Sequence, residues 1–498
     1  MSLYQKRRIR YIAILAGIGF LFLFPGLANA ISNEQLVGGY HYEPCNTMYG
    51  RHGSIDSDGS DIVAAFVTQR GYAGPYNVVL ARSTDNGANW QGHTHISTSD
   101  MDQWYPDIVM LDIPEHGKVV FVVWQETNNP LNSISSIRTK AVYFDNFNHN
   151  WYGSHTIHDG YDGLSNYPRI AGTVTDCAET GGISFDLVRI HFVWEEYTTR
   201  AGGYPHWEIW GSEYYWENYG TESSHFGEID YMACEDWVDL RHPSIDAGVA
   251  IDGDNGIGNI EHVVLTFDCK WRDRGTVDVR YKYFGINGLP NTNAQVFQGK
   301  GTLVLPEQNI YSYFPDITIW GKEIEEEWDW ETVIVGQKNN TLSSNFIAGR
   351  ASIDLGNSWG SILNIGTMGN TLPELRGVAI DSGLPADGED PYEWERFEGG
   401  ITVIWDVDDI YIGPCTEIWS RQLRLSGNTL IVIDLNYDNA PEVDTSGLYG
   451  GDLTYVAISY TTIIDGSVVG YSHNLYNGIV FQAADPLWAG DVIYYTNP

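Results

Sequence analysis

The chain has 498 residues, 43% hydrophobic and 13% aromatic, which is enough apolar material for a large core and too much for a disordered chain. Its 27 Lys and Arg stand against 65 Asp and Glu, a formal charge of −38 that repels a phosphate backbone and excludes a general nucleic-acid binder. At about 150 residues per domain the length allows three domains, although all-β rings often run longer as one unit.

Residues 1–30 read as a signal peptide. Lys6, Arg7, Arg8 and Arg10 make a basic start, residues 11–27 are almost wholly apolar, and Ala28-Asn29-Ala30 supplies the small-x-small pattern of a cleavage site. An uncleaved anchor is the alternative, since the run approaches bilayer-spanning length, but Pro25 and the Ala-x-Ala end favour cleavage. Cleavage removes four cations and no acids, leaving a net −42. The expectation is a secreted or cell-surface protein, not inserted in the membrane once cleaved, with residues 31–498 forming a single domain. The five cysteines, Cys45, Cys177, Cys234, Cys269 and Cys415, lack Cys-x-x-Cys spacing, which argues against zinc.

Next comes a repeat. Tyr105-Pro106-Asp107-Ile108 returns as Tyr167-Pro168-Arg169-Ile170, His242-Pro243-Ser244-Ile245 and Phe314-Pro315-Asp316-Ile317. A looser copy is Leu372-Pro373-Glu374-Leu375, and weaker ones are Gly53-Ser54-Ile55-Asp56 and Pro441-Glu442-Val443-Asp444. After each comes an apolar run ending in an aromatic and an acid, clearest at residues 119–126, 188–196, 262–268 and 401–406, then a third run such as 77–82 or 346–350. Short β-branched and aromatic runs between Gly, Asn and Asp predict strands, and no helical period follows the signal. Several strands per unit of 40 to 75 residues predict an all-β fold, a β-propeller of seven blades with six as the alternative; a long sandwich or a two-domain all-β chain is the competing architecture. Each repeat proline is expected to open an innermost strand, whose free edge tolerates a residue without an N–H.

Two segments carry a further pattern. Ser83, Asp85, Gly87 and Trp90 fit Ser-x-Asp-x-Gly-x-x-Trp, as do Ser352, Asp354, Gly356 and Trp359, and residues 145–151 are a worn copy. The pattern resembles the Asp box, the hairpin signature of the sialidase (neuraminidase) superfamily and related BNR-repeat propellers. The resemblance implies a structural role for these residues on the outer strands, away from a ligand. The superfamily's Phe/Tyr-Arg-Ile-Pro tetrapeptide is absent, and its nucleophilic tyrosine with a glutamate partner has no match here.

Candidate chemistry falls at the expected channel mouth. Arg51, Arg169, Arg241 and Arg376 stand at or beside the start of innermost strands, where guanidinium groups suit a sugar carboxylate or sulfate, or pair with acids to tie blades together. Glu126, Glu195, Glu196, Asp268 and Asp406 end second strands, and Asp107 and Asp316 follow repeat prolines; paired carboxylates are what glycoside hydrolysis needs. Trp104, Trp124, Trp194 and Trp405 lie nearby, as sugar-stacking surfaces or as core. No cofactor is required by the sequence; calcium is the possible one, with Asp252 and Asp254 in an acidic turn as weak ligands. Cys234 and Cys269 are a candidate disulfide beside the mouth. Three functions follow: an exported propeller binding glycans or another surface ligand without catalysis, an exo-acting glycoside hydrolase on acidic sugars, or a structural or adhesive surface module.

Overall fold

The computed structural model describes residues 35–38, 54–58, 61–69, 75–127 except 86–88 and 98, 135–177 except 161–163, 185–198, 205–218, 223–227, 230–233, 238–250, 260–272, 277–287, 295–305, 310–324, 327–340, 344–367, 378–382, 401–409, 415–432, 448–464, 467–485 and 490–496. Among these residues every regular element is a strand. None is a helix long and apolar enough to cross a membrane.

The strands are β1 (Gln35–Gly38), β2 (Ser54–Asp58), β3 (Asp61–Gln69), β4 (Tyr76–Ser83), β5 (Gln91–His95), β6 (Asp102–Ile113), β7 (Gly117–Thr127), β8 (Ser135–Tyr143), β9 (Asn146–His158), β10 (Ser165–Cys177), β11 (Phe185–Thr198), β12 (His206–Glu217), β13 (Ser223–Phe226) and β14 (Asp230–Ala233). The second half continues with β15 (Val238–Ala250), β16 (Ile260–Trp271), β17 (Val277–Asn287), β18 (Gln295–Leu305), β19 (Ile310–Ile324), β20 (Glu327–Asn340), β21 (Ser344–Ser352), β22 (Leu363–Thr367), β23 (Val378–Ser382), β24 (Ile401–Asp409), β25 (Cys415–Ser426), β26 (Thr429–Val432), β27 (Leu448–Ile464), β28 (Ser467–Asp485) and β29 (Gly490–Thr496).

They form seven antiparallel sheets: β2–β5, β6–β9, β10–β13 with β14 beside β12, β15–β18, β19–β22, β23–β26, and β27–β29 completed by β1. The first strand of each sheet lies against the first strand of the next, through β2, β6, β10, β15, β19, β23 and β27, and β27 returns to β2. Pairing of β1 with β29 joins the two ends of the described chain within one sheet.

Burial follows from this stacking. In β7, Phe121 and Val123 pack with Ile190, Phe192 and Trp194 of the following sheet, while Val120, Val122 and Trp124 pack with Val63, Val78 and Leu80 of the preceding one. A strand covered on both faces reads as a continuous apolar run, which is why residues 119–126 show no alternation. The outer strand β9 is largely exposed.

The repeat prolines do not open the innermost strands. β6 begins four residues before Pro106, and β10, β15 and β19 likewise begin before Pro168, Pro243 and Pro315. In all four the pairing register shifts at the aromatic–Pro step, between Trp104 and Asp107, Asn166 and Arg169, Arg241 and Ser244, and Tyr313 and Asp316. The bulge takes the residue without an N–H out of the ladder, so pairing continues beyond it. The copy at Pro373 and that at Pro441 lie outside the described residues. The register corrects the first of them: Ile380 N donates to Asp316 as Ile170 N donates to Asp107, so Ala379 is the counterpart of Arg169, five residues past Glu374.

The Ser-x-Asp-x-Gly-x-x-Trp segments form turns after the third strands β4 and β21. Asp354 accepts from Ser352 Oγ, Ser358 N and Ser358 Oγ at 2.6–2.8 Å, and Asp85 accepts from Ser83 Oγ, Asn89 N and Asn89 Nδ2 over the same range. Gly356 has φ +82°, and a Cβ there would collide with the Tyr281 ring, which itself packs edge-on against Trp359. Gly87 lies outside the described residues.

Candidate functional site

The four bulges share a backbone state. Tyr105, Tyr167, His242 and Phe314 have φ of +49°, +47°, +48° and +47°, a left-handed conformation uncommon for bulky side chains. It places four aromatic rings on four neighbouring innermost strands in mutual contact. Ring centroids are 4.3 Å apart for Tyr105–Tyr167, 5.2 Å for Tyr167–His242 and 4.0 Å for His242–Phe314. All four residues are half-buried.

Acids on the second strands hold this backbone. Buried Glu195 on β11 accepts the His242 backbone N–H at 2.5 Å and Arg241 Nε at 2.8 Å. Asp268 on β16 accepts the Phe314 backbone N–H at 3.4 Å, and its Oδ2 lies 2.6 Å from His242 Nδ1. Each acid thus pins the left-handed residue of the following sheet. Burial alone would lower the Arg241 pKa, but Glu195 and Asp268 hold it above its ordinary value.

In three of the four repeats the position three residues before the post-proline residue inserts between sheets. Trp104 lies against Tyr76 at 4.5 Å, Asn166 Oδ1 accepts from Gln125 Nε2 at 2.7 Å, and the Arg241 guanidinium lies over Trp207 at 4.2 Å. Arg241 therefore points into the seam towards the preceding sheet. Arg169 sits in the layer of Asp107 and Asp316, with Nη1 3.8 Å from Asp107 Oδ1; burial raises the pKa of both acids, and the Arg169 charge opposes that rise.

Below the arc lies a belt of carboxylates that lock neighbouring innermost strands. Asp107 accepts from Ser54 Oγ at 2.8 Å and Ile170 N at 3.0 Å; Asp316 accepts from Ser244 Oγ and Ile380 N. Asp56 accepts from Met110 N at 2.6 Å and Asp246 from Ile319 N at 2.8 Å. Burial, with repulsion from Asp107 and Asp246, pushes the Asp56 carboxyl up to about 7; burial, with Asp316, does the same for Asp246.

The predicted residues therefore separate. Arg241, Glu195 and Asp268 come together at the arc, and Arg169, Asp107 and Asp316 in the belt beneath it. Glu196 is apart, accepting from Ser165 Oγ and Trp194 Nε1, and Glu126 from Gln103 Nε2. Trp124 and Trp194 are fully buried and Trp104 nearly so, which selects core over sugar stacking for these three, while the Trp405 side chain is not among those described. Cys269 is buried; its candidate partner Cys234, with Arg51, Arg376, Asp252 and Asp254, lies outside the described residues. Asp406 has its backbone in β24 but its side chain is not among those described. Among the described residues no group of three or more His, Cys, Asp and Glu is arranged for a metal ion.

The sequence reading missed the arc itself. Its signal was present as the aromatic before each of four prolines. Both phenols keep their protons: burial, the facing phenol and Glu195 raise Tyr105, and burial and Glu195 raise Tyr167 against the opposing effect of Arg241 and Arg169. As protonated phenols they can donate and accept hydrogen bonds.

No protein-family model matches the chain, and no curated protein matches it. Solved structures show remote likeness. A mutant α-L-arabinofuranosidase from Fusarium graminearum in complex with an iminosugar inhibitor is 10% identical, covering 94% of this chain and 97% of that one, with a TM-score of 0.39. An α-L-arabinanase from Cellvibrio cellulosa complexed with arabinohexaose is 12% identical over 61% of this chain and 93% of that one, TM-score 0.28. An exo-1,5-α-L-arabinanase from a bovine ruminal metagenomic library is 11% identical over 62% and 96%, TM-score 0.29.

Proposed function

We propose that the chain is an exported, seven-bladed, sialidase-like β-propeller that binds glycans on the aromatic arc at one end of its ring, without turnover. The observation behind this reading is the arc of Tyr105, Tyr167, His242 and Phe314. Pyranose and furanose rings present a C–H face that lies flat on an aromatic ring, while flanking phenols bond their hydroxyls. Four left-handed aromatic residues cost about 1–3 kcal/mol each, and such strain clusters where a site needs it.

Hydrolysis requires two carboxylates free to face the sugar, one as acid and one as base or nucleophile. Glu195, Asp268, Asp107 and Asp316 are instead each engaged with a neighbouring strand. The hydrolase reading retains one supporting feature, the Tyr167 ring beside Arg241 and Glu195.

The test is affinity electrophoresis of the secreted chain in gels containing arabinan, galactan or xylan, with a reducing-end assay on the same mixtures. Retardation without new reducing ends is expected. New reducing ends would make the chain a hydrolase, and neither effect would leave the scaffold reading.

A further inference from the structure

We infer that the arc takes uncharged glycans and excludes uronic-acid and sulfated ones, a specificity that rests on the glycan-binding role proposed above. Among the described residues of the seven innermost strands the arginines are Arg169 and Arg241, and each is paired with an acid. Arg241 gives Nε to Glu195, lies over Trp207 and feels Asp268 as well; Arg169 faces Asp107 and acts on Asp316. A sugar carboxylate at Arg241 would compete for a guanidinium that already compensates the fully buried Glu195, weakening that compensation in a desolvated seam.

The field around the arc has the same sign. Four acids, Glu195, Asp268, Asp107 and Asp316, stand around and below the arc against two arginines, Arg241 and Arg169, and the whole chain carries −38. An anionic polymer approaching this end meets repulsion before any stacking contact forms, whereas a neutral ring meets none.

The inference is tested with arabinan, galactan and xylan, each in three forms: unmodified, hydroxyethylated, and carboxymethylated to the same degree. The hydroxyethyl polymer controls for bulk, so the comparison isolates charge. At 20 mM NaCl the carboxymethyl form should bind at least tenfold more weakly than the hydroxyethyl form. The gap should shrink at 500 mM NaCl, while binding of the unmodified polymer stays unchanged. Equal or tighter binding of the carboxymethyl form would overturn the inference and leave the glycan-binding reading standing. Loss of all three forms of every polymer would overturn both.

Discussion

The backbone N–H of His242 donates to the Glu195 carboxylate at 2.5 Å, across the seam between two sheets. That one bond joins the features on which the proposed site depends: a buried acid, a left-handed aromatic residue, the proline after it, and the arginine before it. The same carboxylate neutralises Arg241, so fold and local electrostatics are set by one side chain.

Removing Glu195 should therefore be severe. Glu195→Ala leaves Arg241 charged in the seam and His242 N–H unbonded, an expected loss of about 3–5 kcal/mol in urea unfolding. The double variant Glu195→Ala with Arg241→Met, which keeps a stem over Trp207, should recover part of it. A double-variant loss equal to the sum of the separate Glu195→Ala and Arg241→Met losses would show that the pair is not coupled.

The left-handed backbone predicts an inverted glycine effect. In an ordinary strand Gly is less stable than Ala, but at φ +47° Ala keeps the steric clash and Gly does not. Tyr167→Gly should be more stable than Tyr167→Ala by about 1 kcal/mol in denaturant unfolding. The usual order would contradict the bulge geometry.

How much of this was legible in the sequence differs by feature. The repeat stood out because Tyr105-Pro106 and its three relatives recur with the same neighbours, and the turns at Asp85 and Asp354 are local motifs whose bonds span only four residues. The bulges were not legible, since a register shift belongs to two strands and one string of residues does not contain it. Pro373 drew the sixth unit five residues early for the same reason: only the cross-sheet bond from Ile380 N to Asp316 fixes its register. Acids such as Glu195 and Asp107 were legible by type and not by role, because in a chain with 65 acids the partner across the seam decides what each one does.

The belt sets a pH dependence. Asp56 and Asp246 titrate near 7 in the fold and near 3.8 unfolded, so the folded state binds more protons between those values. Stability contributed there is complete below about pH 4 and falls as pH rises through 7. In the opposite direction, Asp85, Asp354 and Glu261 are held below their ordinary values, so acidification takes their contribution away. The melting temperature should pass through a maximum at mildly acidic pH and decline towards pH 8, and Asp56→Asn with Asp246→Asn should flatten that decline. A melting temperature that rises from pH 5 to pH 8 would be the opposite sign.

The outer turns should separate stability from binding. Asp354→Ala removes three acceptor contacts in the β21–β22 turn and should cost about 1–2 kcal/mol, with retention on polysaccharide gels unchanged. Lost retention at unchanged stability would move the glycan site to the outer strands.

The most direct measurement is a crystal structure of the chain with an oligosaccharide from whichever polymer it retains. A sugar ring within about 4 Å of the Tyr167 and His242 rings, at the end of the ring of sheets where Glu195 pins the backbone, is the expected result. A sugar seated instead on the outer hairpins beside Trp90 or Trp359, with the arc bare, would contradict it.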